Sequence, residues 1–109
     1  MDPEHKLKLQ KNHGLLKSDL NIDSVRTYLR ESQILTDEDS EKLLLNTLTA
    51  TEKKEHFLIR ILPNRGPEAY ERFIEALQQD DRDDYIVRML KSTVVTQEEI
   101  FKYIGTSYT

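Results

Sequence analysis

The side chains with chemical potential in this chain are three histidines, the acidic run Asp80 to Asp84, and the turn Asn64-Arg65-Gly66. His5 and His13 stand eight residues apart across an expected helix break, and His56 is remote from both. A metal needs convergent ligands held by ordered outer partners, so no metal site is predicted. The acidic run lacks the central glycine and closing glutamate of a calcium loop. It is read as surface carboxylates at a helix start, not as an acid–base pair. The turn has no second glycine followed by Lys-Ser or Lys-Thr, so it is not a phosphate loop. There are no cysteines, which excludes disulfides, thiolate ligands and a cysteine nucleophile. The tyrosines and phenylalanines fall mostly at helical core spacing, which argues against a base-stacking platform. Neither an enzyme nor a cofactor is expected.

Length and charge narrow the class further. A chain of 109 residues suits one domain with a single core. Its net charge of −4 argues against nucleic acid as the main partner. No stretch approaches the roughly 18 apolar residues of a membrane span. Met1 to Lys11 is charged and lacks the apolar run of a signal peptide. The expectation is a soluble, cytoplasmic protein or module with no membrane partner. About a third of the residues are charged, and the apolar residues recur at helical spacing, which predicts an all-α bundle.

The elements organise around residues 57–77. An apolar block ends at Pro63, which has no amide hydrogen and should stop the preceding helix near Leu62. Gly66 suits the reversal, and Pro67 suits the first position of a new helix. Tyr70, Phe73, Ile74 and Leu77 then share one helical face.

The remaining elements follow in chain order. A first helix starts at Asp2-Pro3-Glu4, carries Leu7, Leu15 and Leu16 inward, and breaks at Asn12-His13-Gly14. Asn21 or Asp23 caps a second helix with Val25, Tyr28 and Leu29 inside. Thr36 and Asp39 make a capping-box variant for a third, which buries Leu43, Leu44 and Leu48. Thr51 is the expected cap of the fourth. Tyr85, Ile86, Met89 and Leu90 form the inner face of the sixth. Thr96 to Glu99 opens a short extra helix, with Ile100, Phe101 and Ile104 at helical spacing. Gly105 stops it, and Thr106 to Thr109 are expected to fray.

At this point the chain resembles the caspase recruitment domains of the death-fold superfamily. Ile34-Leu35-Thr36 looks like their second-to-third helix junction. Ile61-Leu62-Pro63-Asn64-Arg65-Gly66-Pro67-Glu68-Ala69-Tyr70 closely resembles the fourth-to-fifth helix junction of several apoptotic members, and Phe73 with Ala76-Leu77 continues that pattern. Leu9 to Leu16 resembles the bent first helix. The likeness covers residues 4 to about 92, so residues 1–92 are expected to form the domain and 93–109 a helical extension or the start of a linker. It implies a six-helix antiparallel Greek-key bundle with a bent first helix, no enzymatic activity, and binding to another domain of the same family.

The resemblance also directs attention to charged faces. From Asp23 to Leu45 the acids Asp23, Glu31, Asp37, Glu38, Asp39 and Glu41 outnumber Arg26, Arg30 and Lys42 by three. In the first and fourth helices Lys6, Lys8, Lys11, Lys17, Lys53, Lys54 and Arg60 exceed Asp2, Glu4, Asp19, Glu52 and Glu55 by two. In the family, a basic first-and-fourth-helix face commonly docks on an acidic second-and-third-helix face. The implied partner-binding residues are therefore the six acids together with Lys11, Lys17, Lys53 and Arg60.

Positions where strongly basic members carry arginine appear here as His13 and His56, mixed with Glu52 and Glu55. This points to the adaptor side, an apoptosome-type scaffold that recruits an initiator caspase. The prodomain of such a caspase and a stand-alone inhibitory domain are the alternatives. The close succession of the Thr96 to Ile104 helix also favours the adaptor. Arg65 has two readings. It either caps the carbonyls ending the fourth helix, or contacts a neighbouring subunit near Asp80 to Asp84 in a ring or helical assembly. Charge reversal at Asp37 and Asp39 is expected to abolish recruitment while helicity survives.

Overall fold

Helix-capping chemistry sets the element boundaries. The computed structural model describes residues 1–44, 47–79 and 84–105, and all regular elements among them are helical. Most of the acidic run, residues 80–83, lies outside that set, as do the terminal residues 106–109. α1 (Pro3–Lys11) starts with proline in its first turn beside Glu4 and ends with Lys8 and Lys11 near the negative pole of the helix dipole. It breaks at Asn12, and α2 (His13–Asp19) resumes at once, so the pair forms one bent first helix. α3 (Ile22–Glu31) is capped by Asn21, whose side chain accepts the Ser24 amide.

Capping boxes start three further helices. Thr36 with Asp39 opens α4 (Asp37–Leu43), Thr49 with Glu52 opens α5 (Ala50–His56), and Thr96 with Glu99 opens α8 (Gln97–Ile104). The α5 cap is thus Thr49 and not Thr51. A capping box needs the acid three residues beyond the cap, and only Thr49 stands at that distance from Glu52. α8 stops at Gly105, whose φ of 71° is left-handed. α6 (Ala69–Gln78) and α7 (Asp84–Ser92) complete the helices.

The fourth rod does not end at Leu62. α5 runs into a π-turn (Phe57–Ile61) and then a 3-10 turn (Leu62–Asn64), with Leu62 still in right-handed helical geometry. The Leu62 amide reaches back five residues to the Phe57 carbonyl. This widened turn relaxes the ladder just before Pro63, which then sits in the first turn of the 3-10 segment, where no amide is required. The chain reverses at Gly66, whose φ is 93°. Pro67 shapes this turn, and α6 begins two residues later at Ala69. Among the described residues, counting α1 with α2, and α5 with the turns that extend it, gives six rods plus α8, consistent with the death-fold bundle.

The core is one cluster. α6 packs on both α3 and α7, and α2 packs on α5. Leu16, Leu29, Phe57, Leu62, Phe73, Leu77, Ile86 and Leu90 are fully buried, with the Phe57 and Phe73 rings 5.9 Å apart. Leu7 and Leu15 are only half-buried, and Leu9 takes the inner place. The break at Asn12 resets the helical phase, so one continuous stripe does not describe both halves. Leu44 is 53% exposed, because α4 ends at Leu43 and its successor leaves the stripe. Leu48 is half-buried. In α7 Val87 is buried, whereas Met89 and Tyr85 face outward. The Tyr85 hydroxyl donates to the Asp19 carboxylate at 2.5 Å, which holds the ring at the edge. Among the described residues no helix is long and apolar enough to cross a membrane.

Truncating Phe73 to alanine removes a fully buried ring from the α6 face. Phe73→Ala should cost about 3–5 kcal/mol of unfolding free energy, read from the urea midpoint by circular dichroism. A loss below about 1 kcal/mol would contradict this packing, since removing a fully buried ring costs about three times that or more.

Candidate protein-interaction surface

The acids of α3 and α4 divide by what surrounds them. Asp23 lies in the first turn of α3 and Glu31 in its last, both exposed. Asp37, Glu38 and Asp39 fill the first turn of α4, where the helix dipole favours negative charge. Since α3 and α4 pack together, these carboxylates belong to one region. Asp37 is exposed and pairs with Arg30, whose Nε donates at 2.9 Å. Exposed pairs of this kind hold weakly and break readily. Glu31, Glu38 and Glu41 are exposed and have no ion-pair partner within 4 Å among the described residues, and the same is true of Asp23.

Asp39 is different. It is 5% exposed, so it is not part of an accessible acidic face. One carboxylate oxygen accepts the Thr36 amide at 3.1 Å and Arg65 Nε at 2.7 Å, and the other accepts Arg65 Nη2 at 2.5 Å. The third residue of this capping box faces inward, and Arg65 meets it with a two-pronged guanidinium contact. Burial pushes the Asp39 carboxyl up, but the Arg65 and Thr36 hydrogen bonds outweigh it and hold the group below the ordinary aspartate value. The Arg65 side chain is therefore engaged with Asp39, while its backbone amide caps the fourth rod by donating to the Leu62 carbonyl at 3.3 Å. The carbonyl of Arg60 is instead taken by the Asn64 side chain at 2.9 Å. Most of the other side of the subunit contact expected for Arg65, residues 80–83, lies outside the described residues.

Two of the four basic candidates, Lys11 and Lys17, are engaged within the chain. Lys11 pairs with Glu99 at 2.5 Å and donates to the Val94 carbonyl at 2.8 Å. Lys17 pairs with Glu55 at 2.5 Å, and the Lys17 hydrogen bond holds the Glu55 carboxyl below its usual range. Lys53 and Arg60 have no ion pair within 4 Å among the described residues. The Asn12 side chain donates to the Lys8 carbonyl and to Thr93 Oγ1, tying the helix break to the segment after α7. Sequence spacing missed these long-range clasps, since nothing in the local pattern pairs Lys11 with Glu99 or Asn12 with Thr93. His5 stacks on Tyr70 at 4.1 Å as packing. Among the described residues no group of histidines and carboxylates could hold a metal.

A helical bundle that turns its fourth rod into its fifth through this proline–glycine junction, and displays charged helix faces beside it, has the build of a protein-interaction module. The family model described as "Caspase recruitment domain" matches residues 6–100, and the chain belongs to that family. Its members bind other proteins that carry such a domain, in apoptosis and related signalling, and the domain is an interaction module and not a catalyst. No solved structure matches the chain significantly.

Breaking the Asp39–Arg65 pair tests the interior role of Asp39. Asp39→Lys loses a capping contact and leaves a buried cation facing Arg65, so it should destabilise the domain by roughly 2–4 kcal/mol. The charge reversal expected to spare helicity at this position should instead lower it. The acid response has a defined sign. Because the folded-state value of Asp39 lies below the unfolded one, its stabilisation is fully present above about pH 4 and fades as pH falls through the folded value. Asp39→Asn should flatten that acidic limb of the stability curve, measured by urea unfolding from pH 2 to 7. An unchanged limb would show that the carboxylate is not the titrating group.

Proposed function

We propose that the domain recruits an initiator caspase to an apoptosome-type adaptor assembly through the exposed acids of α3 and α4. The observation that carries this reading is the contrast in internal pairing. Asp23, Glu31, Glu38 and Glu41 are exposed with no ion-pair partner within 4 Å among the described residues, whereas Lys11 and Lys17 each make an ion pair, with Glu99 and Glu55. An acidic surface free of internal partners can steer a basic domain into register, and that attraction weakens with salt. Asp37 joins the surface because its pair with Arg30 is exposed and easily exchanged. Lys53 and Arg60 remain available for a second contact, through which copies assemble into a ring or helix.

Proximity supplies the activation step. Several adaptor copies assemble, each holds one caspase prodomain, and the raised effective concentration drives protease dimerisation. The setting is cytoplasmic, with no nucleic acid or membrane as partner.

The experiment is charge reversal that spares Asp39. Glu38→Lys with Glu41→Lys should weaken binding of a recombinant initiator-caspase recruitment domain about tenfold or more, in line with like charges juxtaposed at an interface. Circular dichroism should stay unchanged, since both positions are exposed. Calorimetric titration at two salt concentrations reads the affinity and its screening. Retained affinity in the double variant would sink the acidic surface as the recruiting one.

A further inference from the structure

α8 makes an unusual attachment to the bundle. It contains no buried residue, and Phe101, Tyr103 and Ile104 are between 38% and 54% exposed. Of its apolar side chains Ile100 alone is half-buried, so hydrophobic burial holds it less firmly than the core helices. It lies against α1, and its polar attachment centres on the end of that helix. Lys11 bridges Glu99 and the Val94 carbonyl, and Asn12 reaches Thr93, in the segment leading into α8. The Lys11 and Glu99 side chains are each 36% exposed, so this clasp sits in water and opens at small cost. Beside it Tyr103 lines a cleft of about 230 Å³ with Leu9, Gln10, Leu58 and Pro63, between α1 and the fourth rod.

α8 thus brings an acid and an aromatic ring to the basic end of α1. Glu98 and Glu99 carry the same charge as the exposed glutamates of α4. We propose that α8 is a displaceable strap, which occupies the Lys11 end of α1 in place of the acidic α3–α4 surface of a second copy of this chain. The identity of the displacing surface rests on the acidic surface proposed above. In the strapped state the copy can offer its own acids but not receive those of another. Displacement of α8 frees Lys11 and the cleft together, so self-association through this end of α1 is gated by a contact within the chain.

The pair of glutamates provides a matched test in the full chain. Glu99→Gln removes the charge that Lys11 holds but keeps a residue able to complete the Thr96 capping box. Glu98→Gln is the control, because Glu98 pairs only weakly with Lys102 at 3.8 Å. Hydrogen exchange of residues 97–104 should rise about threefold to fivefold in Glu99→Gln, the change expected for losing an exposed ion pair. Exchange in α6 should not move. Sedimentation should show Glu99→Gln self-associating at a concentration lower by a similar factor, with Glu98→Gln unchanged. Lys11→Gln should loosen α8 equally without gaining association, because it also removes the cation.

Unchanged α8 exchange in Glu99→Gln would overturn the strap. So would faster exchange with no gain in association. Adding Glu38→Lys and Glu41→Lys to Glu99→Gln separates the two readings. Loss of the gained association supports both, and its persistence would leave the strap standing while removing the acidic surface as the displacing partner.

Discussion

The ion pair between Arg65 and Asp39 ties the two least regular parts of the bundle together. Arg65 lies in the reversal between the fourth rod and α6, and Asp39 lies in the first turn of α4. One carboxylate thus completes a capping box and anchors a turn 26 positions later. The net worth of such a buried pair is small, since desolvation offsets much of the attraction. Its larger effect is geometric. A two-pronged contact has one good orientation, so it fixes where the reversal sits relative to α4. From that reversal follows the angle at which α6 carries Phe73 and Leu77 into the core.

The backbone before the turn is built to reach that position. A helix carrying a proline would ordinarily end before it, because the ring collides with the carbonyl four residues earlier. Here the π-turn at Phe57–Ile61 shifts the hydrogen-bond register by one, and the 3-10 turn tightens it again. The two irregularities let the rod extend through Pro63 to Asn64 without abandoning helical geometry. Phe57, Leu58, Ile61 and Leu62 all stay buried along this stretch. Packing therefore compensates for the weakened ladder.

Local chemistry was legible in the sequence, and contacts between distant segments were not. The caps at Thr36 and Thr96, the break at Asn12, the reversal at Gly66 and the stop at Gly105 follow from short-range backbone rules, and the structure has each of them. Phase was harder. In α1 Leu9 and not Leu7 is the inner residue, and in α7 Val87 is buried in place of Tyr85 and Met89. A stripe of apolar residues tolerates rotation by one position when both flanks are apolar, and only the neighbouring helices choose between them. Of the candidate site, the exposed acids at Asp23, Glu31, Glu38 and Glu41 were readable from composition and spacing. The inward turn of Asp39 and the clasp on Lys11 depend on residues more than twenty positions away, which no local pattern encodes.

Charge sign alone is a poor guide to function in a helical bundle. Acids gather at the starts of helices and bases at their ends because the backbone dipole favours them there. Asp37, Glu38 and Asp39 would be expected in the first turn of α4 whether or not anything docked on it. What separates them is the counter-ion. Asp39 has one in the interior, Asp37 has one at the surface, and Glu38 has none within 4 Å among the described residues. A carboxylate already neutralised inside the fold has little left to offer a partner, and disturbing it damages the fold first. One without an ion-pair partner on a helix surface leaves more of its field for an approaching partner. The same logic ranks the bases, where Lys11 is paired with Glu99 of α8 and Lys53 and Arg60 make no ion pair within 4 Å among the described residues. A docking surface in this domain is therefore defined less by how many charges a helix carries than by which of them the chain has left unanswered.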